Sequence, residues 1–140
     1  MARMAGLKVI DRPVHDPALY HASAVLVAGG AVALIEEASR LLEQAGLQRD
    51  EAERALCSLM SSALDNMQEF GTASALTGPV RRGSVETVER HRRALASQDK
   101  RTHRLYDVLS EVQLELAKTL GEAPVESFDE IGQVIENPEK

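Results

Sequence analysis

The residues best suited to bind a small anion lie in one short stretch, A-L-T-G-P-V-R-R-G, at positions 75–83. Gly78 and Gly83 allow backbone conformations that other residues rarely adopt, and Pro79 fixes its own φ. Such a loop can hold a defined shape while it presents the Thr77 hydroxyl, two guanidinium groups and backbone N–H groups. Arginine suits carboxylates and phosphates because it can donate two parallel hydrogen bonds to them. The stretch is therefore a candidate anion site, and the plain alternative is a loop that only connects two helices.

The histidines are the other residues that could carry chemistry, and they are His15, His21, His91 and His103. A lone histidine on a largely apolar helix is more often structural than catalytic. We find no set of nucleophile, base and orienting group, so acyl transfer has no support. The spacings typical of metal sites are absent too, and we predict no metal site. The single cysteine, Cys57, lies among apolar residues and is predicted to be a buried, inert thiol.

Composition indicates one soluble domain of packed helices. The chain has 140 residues, a formal net charge of −6 and only 3% aromatic residues, so Ala, Leu and Val must fill the core. The negative charge argues against a nucleic-acid or anionic-membrane partner. The longest apolar run, 22–35, falls short of the roughly 20 residues that span a bilayer. We therefore expect a cytoplasmic protein with no nucleic-acid and no membrane partner.

Helix signals predict an all-α bundle of about five helices with a long central first helix. Residues 1–15 are expected to form an extended lead-in or inter-domain segment, which includes the only β-like stretch. Residues 16–121 are expected to form one helical domain, and 122–140 a tail with a possible short helix. We predict a helix over 17–45 and a second helix that begins at a capping box of Asp50 and Glu53 and ends near residue 70. Two further helices are predicted over 84–96 and 98–120.

The first helix is apolar nearly all round in its first half, which is typical of a central helix. Gly29 and Gly30 lie in its middle. Each glycine costs roughly 1 kcal/mol against alanine in a helix, so the pair needs a reason. Close approach of another helix, a kink, or space for a ligand are the possible reasons.

Three blocks of the sequence together resemble a known family: Y-H-A-S-A-V-L-V-A at 20–28, A-L-T-G-P-V-R-R-G at 75–83 and E-T-V-E-R-H at 86–91. They resemble the domain of unknown function 2520, the helical C-terminal domain of bacterial Rossmann-like oxidoreductase homologues, over about residues 7–116. The resemblance implies a fold like the C-terminal domain of 6-phosphogluconate dehydrogenase. In such proteins an N-terminal Rossmann domain holds NAD or NADP, while the helical domain supplies dimer contacts and much of the substrate pocket.

The resemblance also assigns roles to individual positions. It implies His21 and His91 as candidate catalytic residues and the region of Gly29 and Gly30 as a candidate cofactor contact. The substrate-binding residues that it implies are Thr77, Gly78, Pro79, Arg82 and Gly83. Two positions depart from the family pattern, which usually has Asn in place of Gly29 and Asp in place of Ser84.

Two hypotheses about function follow from the resemblance. In the first, the chain is the substrate-binding and dimerisation domain of a Rossmann-type NAD(P)-dependent oxidoreductase-like protein, lacks the nucleotide-binding half and is not active alone. Its partners would be a second copy of the chain, a separate or excised Rossmann domain and an anionic small molecule. NAD or NADP would be held by that other domain, with no cofactor in this chain. In the alternative, the chain is a stand-alone helical module for dimerisation or protein interaction, without catalysis.

Overall fold

A computed structural model describes residues 12–136, which form helices and the turns between them with no strand in that range. The order is α1 (Pro17–Gln44), α2 (Arg49–Phe70), α3 (Thr72–Ala75), α4 (Val85–Ala96), α5 (Lys100–Leu120) and α6 (Val125–Glu136). The all-α prediction is confirmed, as is a long first helix. Within residues 12–136 there are six helices where about five were predicted, because the chain makes an extra turn at α3. The β-like stretch at 7–14 lies largely outside the described residues.

The helix ends follow the capping residues in the sequence. At the start of α1, the Asp16 carboxylate accepts hydrogen bonds from the backbone N–H groups of Ala18 and Leu19 at 2.9 and 3.0 Å. Asp99 caps α5 in the same way, by accepting from the N–H of Arg101 at 3.0 Å. Gly121 ends α5 in the left-handed conformation, with φ of 65°. The two aspartate side chains and the backbone turn at Gly121 satisfy groups that a helix end leaves without partners.

The start of α2 differs from the predicted capping box by two residues. The Glu51 carboxylate accepts from the N–H of Gln48 at 3.4 Å, so this half of a capping box is made at Gln48 and not at Asp50. The carboxylate of Asp50 instead accepts from Arg54 at 2.9 Å. A carboxylate near a helix start can satisfy either a backbone donor or a nearby arginine, and sequence spacing alone did not decide between them.

The chain divides into two compact units, one ending at Leu56 and the other beginning at Cys57. In the first unit the guanidinium of Arg49 joins the start of α2 to the polar half of α1. It donates to Glu43 at 3.1 Å, to Glu53 at 2.6 Å and also to Glu36. The arginine lowers the pKa of Glu36, since it stabilises the ionised carboxylate.

The apolar half of α1 is exposed in the single chain. Ser39 is the one buried residue of this helix. Leu26 is 78% exposed and Val32 is 72% exposed. The expectation that the first helix is buried at the centre is therefore wrong for the single chain. The physical reason is that the contacts made by α1 to the start of α2 involve its charged C-terminal half, which leaves the apolar half uncovered.

By length and composition alone, α1 could cross a membrane. The prediction that its apolar run is too short for a bilayer therefore does not hold. The helix begins at Pro17, so its uncharged part extends beyond the run at 22–35. Length and composition do not distinguish a span from an apolar helix that a protein surface covers.

The second unit has its own hydrophobic core, to which α4, α5 and α6 all contribute. Three of the seven buried residues come from α6. The members of this core are Val80, Val88, Leu114, Ala117, Phe128, Ile131 and Ile135. The tail predicted with a possible short helix is thus a full structural element. Cys57 on α2 is exposed, so the prediction of a buried thiol is wrong.

Candidate functional site

The loop 77–83 has a defined backbone shape that its glycines and its turn hydrogen bonds explain. Gly78 and Gly83 have φ of 98° and 63°, in the left-handed region that favours glycine. The N–H of Gly83 donates to the carbonyl of Val80 at 3.1 Å, and the N–H of Ser84 donates to that of Pro79 at 2.9 Å. Two consecutive turns therefore lead the chain from the loop into α4.

Arg81 ties this loop to the rest of the second unit. Its guanidinium donates two hydrogen bonds of 2.7 Å to the carboxylate of Glu122. It also donates to the carbonyls of Ser74 and Leu76 at 2.8 and 2.5 Å. The hydrogen bonds from Arg81 lower the pKa of Glu122. With its donors used in this way, Arg81 is a structural residue.

Gly83 and Val80 fix the loop against the segment that leads into α6. A Cβ at Gly83 would lie 2.9 Å from the Cβ atoms of both Ala123 and Ser127, closer than real Cβ atoms approach. Val80 is 1% exposed and belongs to the core. Gly83 is therefore explained by close packing as well as by its φ, a role that sequence comparison alone did not reveal.

Arg82 lies next to Arg81 but has no such engagement. It is exposed, and within residues 12–136 its side chain makes no hydrogen bond or ion pair. Of the five predicted substrate-binding residues, Gly83 shapes the loop by close packing. Arg82 and Thr77 are exposed and accessible to a ligand, whereas Gly78 and Pro79 are half-buried.

His91, the candidate catalytic residue of α4, contacts Tyr106 of α5. Its Nδ1 lies 3.1 Å from the phenol oxygen, and the two rings meet edge to face with centroids 5.9 Å apart. Burial raises the pKa of Tyr106, and a hydrogen bond to Ser110 acts in the opposite direction. Sequence analysis missed Tyr106. The chain has only two tyrosines, which was the one available signal, but its pairing with His91 depends on how α4 and α5 pack.

Ser84 stands at the N-terminal end of α4, where the family pattern has Asp. Its hydroxyl donates to the Thr87 hydroxyl at 2.9 Å and does not cap a backbone N–H group. Ser84 therefore occupies the N-cap position of α4, but its hydroxyl bonds to Thr87 and not to the helix backbone.

A cavity of about 440 Å³ lies between α4 and α6. Arg92 lines it but is 3% exposed, and its guanidinium donates to Asp107 at 2.8 Å and to the carbonyl of Val134. The full lining is Val85, Glu89, Arg92, Arg93, Glu130, Gln133 and Val134. None of the predicted site residues lines this cavity.

The candidates on α1 belong to the first unit, while the loop and His91 belong to the second. His21 is exposed. A Cβ at Gly30 would meet nothing within 4 Å among the described residues, and one at Gly29 would meet only Val25, at 3.8 Å. Within residues 12–136, nothing therefore requires glycine at these positions. In the described range, no group of three His, Cys, Asp or Glu residues could hold a metal ion.

Comparison with known proteins identifies a family. The model of the family described as "Domain of unknown function (DUF2520)" matches residues 1–113 of the chain. No curated protein and no solved structure matches it. Because the match covers well over half of the 140 residues, the chain belongs to the DUF2520 family, and residues 114–136 of the described structure, including α6, lie beyond the matched region.

Proposed function

Because the chain belongs to the DUF2520 family, we propose that it is the substrate-binding and dimerisation domain of a Rossmann-type NAD(P)-dependent oxidoreductase-like protein of the cytoplasm. In this proposal the chain grips an anionic substrate and presents polar groups to it. The nucleotide is held by a Rossmann domain outside these 140 residues, since they contain no glycine-rich phosphate-binding motif.

The observation that carries the proposal is the contrast between the two adjacent arginines of the loop. Arg81 donates hydrogen bonds to Glu122 and to two backbone carbonyls, and these bonds fix the loop. Arg82 has no partner among the described residues and is exposed. A rigid loop backbone adds no ordering cost of its own when Arg82 binds, and the guanidinium can hold a carboxylate or phosphate through two hydrogen bonds.

His91 is the second group that the proposal uses. It follows the loop by two turns of α4, and its Nδ1 is engaged by Tyr106. Its Nε2 has no hydrogen-bond partner within residues 12–136 and is therefore available to a ligand. A histidine in this state can donate to or accept from a substrate oxygen and can transfer a proton.

The residues of α1 do not fit the nucleotide itself. Gly29 and Gly30 lie inside a continuous helix, so their N–H groups are used in the helix and cannot cradle a phosphate. The candidate cofactor region is therefore proposed only as surface that another chain could approach. We derive no step of a reaction from NAD or NADP on this chain.

Thermal unfolding with ligands tests the proposal. We expect small carboxylates or inorganic phosphate to raise the Tm of the chain, and the Arg82→Ala variant to lose that increase. Arg90→Ala is the matched control, because Arg90 is also exposed and lacks a partner in the described part of the chain. An equal response in wild type and Arg82→Ala would overturn the proposed role of Arg82.

The dimerisation half of the proposal rests on α1. Its exposed large apolar residues include Leu19, Val25, Leu26, Val27 and Val32. An exposed apolar stretch of this kind marks an interaction surface. We propose that a second copy of α1 covers it, since identical chains form symmetric, self-complementary contacts most often.

The second candidate function is the interaction module without catalysis. The observation that favours it is a further set of exposed apolar residues on α2, which includes Leu59, Leu64, Met67 and Phe70. This module would use both helices for association and would need no anion site. Folded dimers that respond to no carboxylate, phosphate or nicotinamide nucleotide would favour it over the first proposal.

A further inference from the structure

Tyr106 links His91 to the interior of the second unit. Nδ1 of His91 lies 3.1 Å from the phenol oxygen of Tyr106. Ser110 lies close to the same phenol group and acts to lower the pKa of Tyr106, and Ser110 is 1% exposed. Ser110 follows Tyr106 by four residues on α5, so the two side chains lie on the same face of the helix. Three polar groups therefore form a chain from the core to the imidazole.

The acidity of these groups indicates which of them donates each hydrogen bond. A phenol has one proton and is a much stronger acid than an aliphatic hydroxyl, so it is the better donor to an imidazole nitrogen. A serine hydroxyl can rotate to donate to the phenol oxygen. Donation by Tyr106 to Nδ1 of His91, with Ser110 donating to Tyr106, is therefore the favoured arrangement. In a neutral imidazole, a nitrogen that accepts leaves the proton on the other nitrogen.

We propose that Tyr106, held by Ser110, is a positioning residue that keeps neutral His91 in the tautomer with its proton on Nε2. That N–H then has no acceptor among residues 12–136 and can donate to a ligand. Its acceptor would be an oxygen of a carboxylate, phosphate or carbonyl group, and this last step rests on the proposed function. The tautomer itself does not depend on that function.

The charged groups near the phenol do not disturb this arrangement. Asp107 and Arg92 act on Tyr106 in opposite directions, the carboxylate raising its pKa and the guanidinium lowering it. The two are paired with each other at 2.8 Å. His103 lies on the other side of the carboxylate, with its Nε2 3.7 Å from Asp107. The phenol consequently stays protonated at neutral pH and remains a donor to His91.

The ring nitrogens of His91 can be observed directly in the ¹⁵N-labelled full chain. A long-range ¹H–¹⁵N spectrum, recorded where the histidines are neutral and assigned with His91→Gln, shows which nitrogen carries the proton. We expect a single Nε2–H form in wild type. Tyr106→Phe should produce a mixture of tautomers like that of the exposed His21, and Ser110→Ala a smaller change in the same direction. Ser110→Thr keeps the hydroxyl and should restore the wild-type spectrum.

A proton on Nδ1 in wild type would overturn the inference without any variant, so a Tyr106→Phe protein that fails to fold does not prevent the test. An unchanged spectrum in folded Tyr106→Phe would overturn it as well. Titration with inorganic phosphate separates the inference from the proposed function. A shift of Nε2 that Arg82→Ala abolishes supports the ligand step, whereas no shift overturns that step and leaves the tautomer intact.

Discussion

At the scale of single residues, the neighbouring Arg81 and Arg82 of the loop differ sharply in their contacts. Both are arginines in a G-P-V-R-R-G sequence, and nothing in their spacing distinguishes them. Only the packed structure brings Glu122 and two carbonyls to Arg81 and leaves Arg82 exposed. The contribution of Arg81 can be tested through the pH dependence of its ion pair.

We expect the effect of Glu122→Gln on Tm to depend on pH. Arg81 holds the pKa of Glu122 below its ordinary value of 4.5 in the folded protein. A lowered folded-state pKa stabilises the fold fully above the unfolded value, and this stabilisation is lost as pH falls through the folded value. Glu122→Gln should therefore lower Tm near neutral pH, and the difference from wild type should shrink in acid below about 4.5.

Glu111→Gln is the matched control for this measurement. Glu111 is exposed on α5 and makes no ion pair or hydrogen bond within the described residues. Its Tm difference from wild type should be small across the same range. If Glu122→Gln follows the control at every pH, Arg81 does not fix the loop through this carboxylate.

The two loop glycines should differ in their tolerance of alanine. Both have positive φ, so alanine at Gly78 or Gly83 should cost about 1–2 kcal/mol through backbone strain. At Gly83 the new Cβ would also lie 2.9 Å from the Cβ atoms of Ala123 and Ser127, which adds about 1–3 kcal/mol of overpacking. At Gly78 nothing lies within 4 Å of that position.

Denaturant unfolding of Gly78→Ala and Gly83→Ala gives the two free energies directly. We expect the Gly83 variant to be the less stable one by the overpacking term. Equal losses would mean that the backbone relaxes around the new methyl group, and that the loop is not held as closely to the start of α6 as the structure shows.

At the scale of elements, α6 is held to α4 by a buried charge as well as by its apolar face. Arg92 is 3% exposed, donates to Asp107 and to the carbonyl of Val134, and lies near the carbonyl of Ile135. These carbonyls belong to the last turn of α6, where a positive charge is favourable. One side chain of α4 therefore links α5 and the end of α6.

Replacement of Arg92 should be far more destabilising than replacement of its neighbour. Arg92→Met removes the arginine that pairs with the largely buried Asp107 and leaves that carboxylate beside His103 at 3.7 Å. Loss of one member of a buried pair costs about 3 kcal/mol or more. Arg93→Met is the control, because Arg93 is 60% exposed and its pair with Glu89 is worth less than about 0.5 kcal/mol. Chemical denaturation measures both, and comparable losses in the two variants would contradict the buried link.

The sequence was a good guide to helices whose ends carry local signals. Asp16 with Pro17 and the glycine at 121 predicted ends that the structure has within a residue or two. α3 was missed because a single turn leaves no periodic pattern. The contribution of α6 to the core was missed because the sequence does not show that its apolar residues pack beside Val80 and Val88.

The candidate site was less predictable than the helices for the same reason. Family resemblance marked His91 and the loop, but the roles of Gly83 and Tyr106 depend on contacts between α4, α5 and the segment before α6. Such contacts join residues that are far apart in the chain. Periodicity and capping report only on neighbours in sequence, and could not have placed them.

At the scale of the whole molecule, the two units differ in how their apolar residues are used. The second unit buries a core of its own. In α1, by contrast, Leu26 and Val27 are 78% and 71% exposed, and Ser39 is the one buried residue. A surface of this kind in water is unfavourable, because each exposed large apolar side chain forgoes about 1.5–3 kcal/mol of burial. Coverage of this surface by another apolar surface would therefore be favourable.

We expect association of two chains through α1 and its loss in Leu26→Glu. Light scattering should give wild type twice the chain mass of 15.2 kDa at high concentration, and Leu26→Glu the mass of one chain. A carboxylate at the centre of an apolar contact would be buried without a partner, which is strongly unfavourable. Val112→Glu is the matched control, since Val112 is an exposed valine of α5 in the second unit. If wild type is monomeric and instead binds lipid vesicles through α1, a membrane and not a second copy covers this helix. That result would contradict the proposed dimer.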